Sequence, residues 1–208
     1  MLDSSEINKN SGIPIGERPE GHSEIMGNNE QPWLPIEAIE FLYSRLDENF
    51  IGFEFGSGSS TFWFSKFTRK IYSVDSSLEW HLSILEKIKE NSIDNIFSMV
   101  KECEMLPIWD KDLEISEKHI EYSSSILDFE FNFDYILVDG VSRSFCIQNS
   151  IDKLNSGGYL IIDNAERPAY QESIQKIPLE WEIFEFSNSV DKTLIYRKNE
   201  KSDNNFGI

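Results

Sequence analysis

The stretch Asn49-Phe50-Ile51-Gly52-Phe53-Glu54-Phe55-Gly56-Ser57-Gly58-Ser59 decides how this chain folds. An apolar run ending at Phe55 meets two glycines separated by one serine, and the residues after them, Ser60 to Phe67, read as a helix opening on small hydroxyl side chains suited to capping. Gly56 and Gly58 carry no Cβ, so both are expected to tolerate positive φ and to let a ligand approach the backbone closely. A second strand, Ile71 to Val74, leads into Asp75, 21 positions after Glu54. At that spacing a carboxylate can accept both hydroxyls of a ribose held over the glycine turn. A turn of small residues and a helix-capping aspartate are the plainer readings of the same features. Strand, glycine turn, helix, strand and acid in that order point to a nucleoside site.

Outward from this unit, strand-like and helix-like blocks alternate, the pattern of a parallel sheet with crossover helices. Upstream, Ile36, Ile39, Leu42, Tyr43 and Leu46 recur on one face of a helix predicted from Pro35 to about Leu46. Downstream, Ser76 and Glu79 form a capping box for a helix whose expected buried face is Leu78, Leu82, Leu85 and Ile88, with Asn91 closing it. A short strand follows near Phe97 to Lys101, then a charged segment from Glu104 to Asn132 with a short helix near Tyr122. Phe133 to Val138 is apolar almost throughout, as in a central strand covered on both faces. A helix from about Phe145 to Leu154 stops at Asn155-Ser156-Gly157-Gly158, before a strand from Tyr159 to Ile162 and a helix near Pro168 to Ile177. Trp181 to Phe186 and Thr193 to Arg197 read as a terminal antiparallel hairpin. The fold class is α/β: a seven-stranded, mostly parallel sheet with helices on both faces and one strand reversed at the edge. The folded domain is expected over residues 33–197. Residues 1–32 form a polar arm, either disordered or folded over a pocket as a lid, and 198–208 a polar tail.

With 208 residues and 39% hydrophobic side chains, the chain can bury a sizeable core. Its 19 basic and 37 acidic residues give −18, a sign that repels phosphate backbones and anionic lipid, so neither a nucleic-acid nor a membrane partner is expected. Apolar runs such as Tyr135 to Val138 fall far short of the roughly 20 residues a spanning helix needs. The first residues, Met1 to Glu6, lack the segments of a secretory signal, so a cytoplasmic location is expected. Cys103 and Cys146 have no metal-site spacing and read as reduced core thiols.

A dinucleotide fingerprint would ask for a third glycine, where this chain has Ser59-Ser60-Thr61-Phe62. Glu54, Asp75, Glu102 and Asp139 around the expected site would suit a cationic ligand better than a pyrophosphate, and a sulfonium nucleoside meets that condition. The region from 33 to 197 resembles the class I S-adenosylmethionine-dependent methyltransferases. Glu54 to Ser59 is similar to the family's first motif and Asp75 to its ribose-binding acid. Phe133 to Gly140 resembles its fourth-strand motif, Leu154 to Ile162 the turn into its fifth strand, and the hairpin its reversed seventh strand. The resemblance implies a Rossmann-like fold and S-adenosylmethionine as cofactor. Gly56, Ser57 and Gly58 would lie beneath the methionine moiety, Glu54 would help fix its polar end, and adenine would lie near Ser76, Glu102 and Cys103.

A narrower resemblance concerns Asp139, Asp163 and Asn164, which are similar to the three ligands of divalent-metal-dependent O-methyltransferases and imply Mg²⁺. The lysine base of that family is missing, and Gly140-Val141-Ser142-Arg143 follows the first acid. The plainer reading makes Asp139 a pocket-edge acid and Asp163-Asn164 a turn. Asp139 and Arg143 are the candidate catalytic residues, Arg143 as a holder of a carboxylate or phosphate on the acceptor rather than as a base. His22, His81 and His119 read as surface or helix-face residues, and Trp33, Trp63 and Trp109 as core or as a pocket floor. The expected activity is methyl transfer to a small-molecule acceptor, at oxygen. An NAD(P)-dependent oxidoreductase and a non-catalytic scaffold of the same fold are the alternatives.

Overall fold

A computed structural model describes residues 31–104, 116–189 and 191–200. The chain runs α1 (Ile36–Tyr43), β1 (Ile51–Phe55), α2 (Ser59–Ser65), β2 (Lys70–Asp75), α3 (Leu78–Glu90), β3 (Ile96–Val100), α4 (Glu117–Ser124), β4 (Phe133–Val138), α5 (Arg143–Ile151), β5 (Leu154–Ile162), α6 (Gln171–Ile174), β6 (Glu182–Ser187) and β7 (Lys192–Arg197). Two single 3₁₀ turns, Ser125–Asp128 and Pro168–Tyr170, follow α4 and precede α6.

Seven strands form one sheet in the order β3-β2-β1-β4-β5-β7-β6. Strands β1 to β5 pair with one another in parallel, and β7 is antiparallel to both β5 and β6. The reversed strand is therefore inserted one place in from the edge rather than at it. The hairpin partner β6 takes the edge, because β7 buries Ile195 and Tyr196 while β6 leaves Ile183 exposed.

Period-two alternation divides the core between the sheet faces. Phe53, Phe55, Ile136 and Val138 face Tyr122 and Ile126 from the α4 region and Cys146 and Ile147 of α5. Tyr135, Leu137, Ile161 and Ile195 face Ala38 and Leu42 of α1, Phe62 and Trp63 of α2, and Ile84 of α3. After β1 the chain winds toward β2 and β3, and after β4 it winds the other way to β5. Neighbouring strands β1 and β4 thus mark the topological switch point, where crossovers diverge and leave a crevice beyond the carboxyl ends.

Two helices differ from expectation. In α3 the cap is Ser77, whose hydroxyl accepts from the Trp80 amide, because Ser76 is still part of the turn leaving β2. Its buried residues are His81 and Ile84, while Leu78, Leu82 and Leu85 are exposed. The apolar periodicity pointed to a face rotated from the one that meets the sheet. α6 is a single turn, since a 3₁₀ turn takes up the preceding proline. Asn91 caps α3 as expected, and His81 and His119 are both buried, bonded to Ser98 and to Ser116 and the Glu104 carbonyl respectively. No described helix is long and apolar enough to cross a membrane.

Candidate functional site

At the switch point the loops leaving β1 and β4 touch. Gly56 has φ +93°, and a Cβ there would lie 2.8 Å from the Gly140 Cα. A Cβ on Gly140 would in turn collide with the Tyr122 hydroxyl and lie 2.9 Å from the Gly56 nitrogen. The Gly56 amide donates to the Val74 carbonyl, and the Asp139 amide to that of Phe55. Two glycines are needed here so that two backbones can cross in contact. Gly58 differs from expectation: its φ is −178°, ordinary extended backbone, but a Cβ added to it meets nothing within 4 Å. It leaves room on the cleft side without needing special torsions.

A cleft of about 1010 Å³ opens over this crossing, walled by Gly56, Ser57 and Gly58 on one side and by Asp75, Ser76 and Cys103 on another. Asp75, at the end of β2, is buried to 7% exposure, and both its carboxylate oxygens are oriented: Oδ2 accepts from the Ser57 amide and hydroxyl, and Oδ1 from the Ser77 amide. A carboxylate has about four lone-pair sites, so capacity remains for hydroxyls of a ligand. Trp80, on the exposed side of α3, donates its indole N–H to the Ser57 carbonyl at 2.7 Å and also lines the cleft, as do Trp33, Tyr122 and Gly140. Burial and the nearby Asp75 carboxylate push the Cys103 thiol up to about 11, so it stays protonated.

Two expected wall residues lie elsewhere. Glu54 is fully buried under the loop, where Ser60, Thr61 and Ser73 donate to its carboxyl group. Burial raises it to about 8 against the opposing pull of the Ser60 and Thr61 hydroxyls. It ties β1 to the first turn of α2 and shapes the loop from below, and it does not line the cleft. Glu102 is exposed and outside the cleft, since the chain after β3 turns its neighbour Cys103 inward instead. The cleft walls carry Asp75, Asp139 and Glu90 against Lys87 and Arg143. Its field is only weakly acidic, well short of the four-carboxylate lining expected.

Asp139, Asp163 and Asn164 do converge, and Arg143 lies between them. The guanidinium donates Nε to the Gly140 carbonyl at 2.9 Å. Nη1 donates to the Asp163 carbonyl at 2.8 Å and Asn164 Oδ1 at 3.2 Å, and Nη2 to the Asp139 carbonyl at 3.0 Å and Asp139 Oδ1 at 2.8 Å. These five bonds use all five N–H donors of an arginine. Asp163 Oδ2 is 3.7 Å from Nη1, and its other oxygen accepts from Thr193. Burial works against the guanidinium charge, but Asp139 and Asp163 outweigh it and hold Arg143 protonated. This corrects two expectations. The three oxygen side chains do not fit Mg²⁺, because an organic cation occupies the space between them, and no group of three His, Cys, Asp or Glu able to hold a metal occurs among the described residues. Arg143 has no donor left for an acceptor's carboxylate or phosphate.

No family model matches the chain, and no curated protein matches it in sequence. Solved structures do match. An rRNA methylase from Streptococcus thermophilus superposes with a TM-score of 0.60 at 15% identity, covering 79% of this chain and 95% of that one. A Streptococcus mutans protein described as a candidate methyltransferase, crystallised with SAH, gives 0.60 at 16%, covering 83% and 99%. A precorrin 8w decarboxylase from Methanobacterium thermoautotrophicum gives 0.57 at 15%, covering 83% and 99%. The chain has the class I methyltransferase fold. With that fold, the expectation of a small-molecule acceptor and no nucleic-acid partner does not stand: the first of these structures is an rRNA methylase, and another, from Clostridium thermocellum, is described as a candidate one. Net charge sets the long-range field of the whole surface, whereas phosphate contacts are made by local patches, so −18 does not decide the partner of one cleft.

Sequence reasoning missed Trp80, Tyr122, Gly140 and the Ser60–Thr61 clamp on Glu54. Gly140 carried a signal, a glycine directly after the central strand and its acid. The Trp80 bond to Ser57 spans 23 positions between two elements and leaves no local pattern.

Proposed function

We propose that this chain is an S-adenosylmethionine-dependent methyltransferase, with the cofactor held over the crossing of the β1 and β4 loops. The single observation that carries the reading is the Gly56–Gly58 cradle walled by the oriented Asp75 carboxylate at the switch point. Asp75 would take the ribose hydroxyls, Gly56, Ser57 and Gly58 would leave the backbone open to the methionine portion, and Ser76 and Cys103 would flank the adenine. Bound there, the cofactor supplies a methyl group on a sulfonium, already activated toward a nucleophile. The chain's own part is to align the partners and exclude water. Asp139, whose side chain is 30% exposed and whose Oδ2 has no hydrogen bond among the described residues, is the acceptor-side carboxylate available to take or orient a proton.

The cleft, with the Asp75 carboxylate oriented on its wall, favours this reading over a bare scaffold. The missing third glycine and the Phe62 side chain beside the loop disfavour a dinucleotide. Thermal melts with S-adenosylhomocysteine, S-adenosylmethionine, NAD and NADP test it: stabilisation by the first two alone is expected, and stabilisation by the dinucleotides alone would overturn it. Transfer of a labelled methyl group should then be followed on a panel led by ribosomal RNA, the acceptor class named for two structures of the same fold.

A further inference from the structure

The loops beyond β4 and β5 supply six oxygens to one guanidinium. Carbonyls of Asp139, Gly140 and Asp163 and the side-chain oxygens of Asp139 and Asn164 lie 2.8–3.2 Å from its nitrogens, with Asp163 Oδ2 at 3.7 Å. Six oxygens from carboxylates, carbonyls and an amide are the donor set of a hard divalent cation. We infer that Arg143 is a built-in replacement for such an ion, fastening the Asp139 loop to the Asp163–Asn164 loop, and that removing its guanidinium opens a latent divalent-cation site.

Three features argue that the guanidinium was placed here for its charge. Arg143 opens α5, where the helix dipole disfavours a cation, so the helix itself does not account for it. It is 9% exposed with every donor used, so it serves neither solvent nor a free ligand. Both fastened loops hold a non-glycine residue in the left-handed region, Ser142 at φ +52° and Asn164 at φ +51°, a conformation that needs support from its surroundings. Arg143 is thus a positioning residue that aims Asp139 at the cleft.

The test titrates Mn²⁺ into the full chain, read by electron paramagnetic resonance and by melting temperature, without cofactor or acceptor. Its outcome is therefore separate from the methyltransferase reading. Wild type should show no saturable site below about 1 mM, and Arg143→Ala should bind one Mn²⁺ at least about tenfold more tightly, roughly 1.4 kcal/mol. Adding Asp163→Asn to that variant should abolish the gain. If Arg143→Ala does not fold alone, Mn²⁺ should restore a cooperative melt that the same ionic strength of NaCl does not. Saturable Mn²⁺ binding by wild type that Asp163→Asn removes, a folded Arg143→Ala with no new site, or an unfolded one that Mn²⁺ fails to rescue would each overturn the inference.

Discussion

Asp75 shows how much rests on one carboxylate. It receives three hydrogen bonds from Ser57 and Ser77, which hold its oxygens toward the cleft. On the proposed reading Asp75→Ala removes the ribose acceptor, and it releases Ser57 and Ser77 at once. Charge-assisted bonds of about 1.5–3 kcal/mol are lost, so S-adenosylhomocysteine affinity should fall about ten- to a hundredfold. Calorimetry giving the wild-type constant would remove Asp75 from the site. Gly140 makes a different kind of prediction. Gly140→Ala forces a methyl group into the Tyr122 hydroxyl and the Gly56 backbone, and overpacking of this kind costs about 1–3 kcal/mol. Adding Tyr122→Phe removes the nearest obstacle while the backbone contact persists, so urea unfolding should show partial recovery in the double variant. Glu54 sets a pH dependence. Its carboxyl is raised to about 8, chiefly by burial, from an ordinary 4.5. Between those values the unfolded chain releases a proton that the folded chain keeps, so the contribution is fully present below about 4.5 and is lost as pH rises through about 8. Melting temperature should therefore drop from pH 5.5 to pH 8.5, and Glu54→Gln should shrink that drop. An undiminished drop in the variant would assign it to other groups.

At the scale of elements, the face that α3 presents to the sheet is the sharpest test of packing. Ile84 is buried at 1% exposure, while Leu82 is 55% exposed. Ile84→Ala should cost about 2–5 kcal/mol of unfolding free energy, and Leu82→Gln should stay within about 0.5 kcal/mol. The reverse ranking would restore the face expected from leucine periodicity. That expectation failed for a physical reason: a helix rich in apolar residues all round has several candidate stripes, and only the docking against β2 and β3 selects one. The terminal hairpin failed similarly in one detail. Its two strands and their antiparallel pairing were legible, but which of them joined β5 depended on whether Ile195 or Ile183 met the core.

For the whole molecule, the site and the fold are one object, because the cleft exists only where crossovers diverge between β1 and β4. Occupying it should stabilise the entire chain. S-adenosylhomocysteine at a hundred times its dissociation constant is expected to add about 2.7 kcal/mol, seen as a higher melting temperature. Asp75→Ala should lose half or more of that gain, and without ligand it should melt below the wild-type temperature, because the Ser57 and Ser77 donors lose their acceptor.

The order of strand, glycine turn, helix, strand and acid follows from residues close in sequence, because periodicity, capping and turn chemistry are local. So the α/β class, seven strands, the turn at Gly56 and the acid at Asp75 could all be read before any coordinates. The fate of the charged groups could not. Glu54 and Glu102 were expected to share a cleft, and one proved buried beneath the loop and the other exposed away from it. Arg143, expected to reach for an acceptor, proved to be the cation inside the cluster expected to hold a metal. What a charge does depends on which carbonyls and carboxylates surround it, and for Arg143 the Asp163 loop lies 20 positions away, on a strand that only the folded sheet brings alongside.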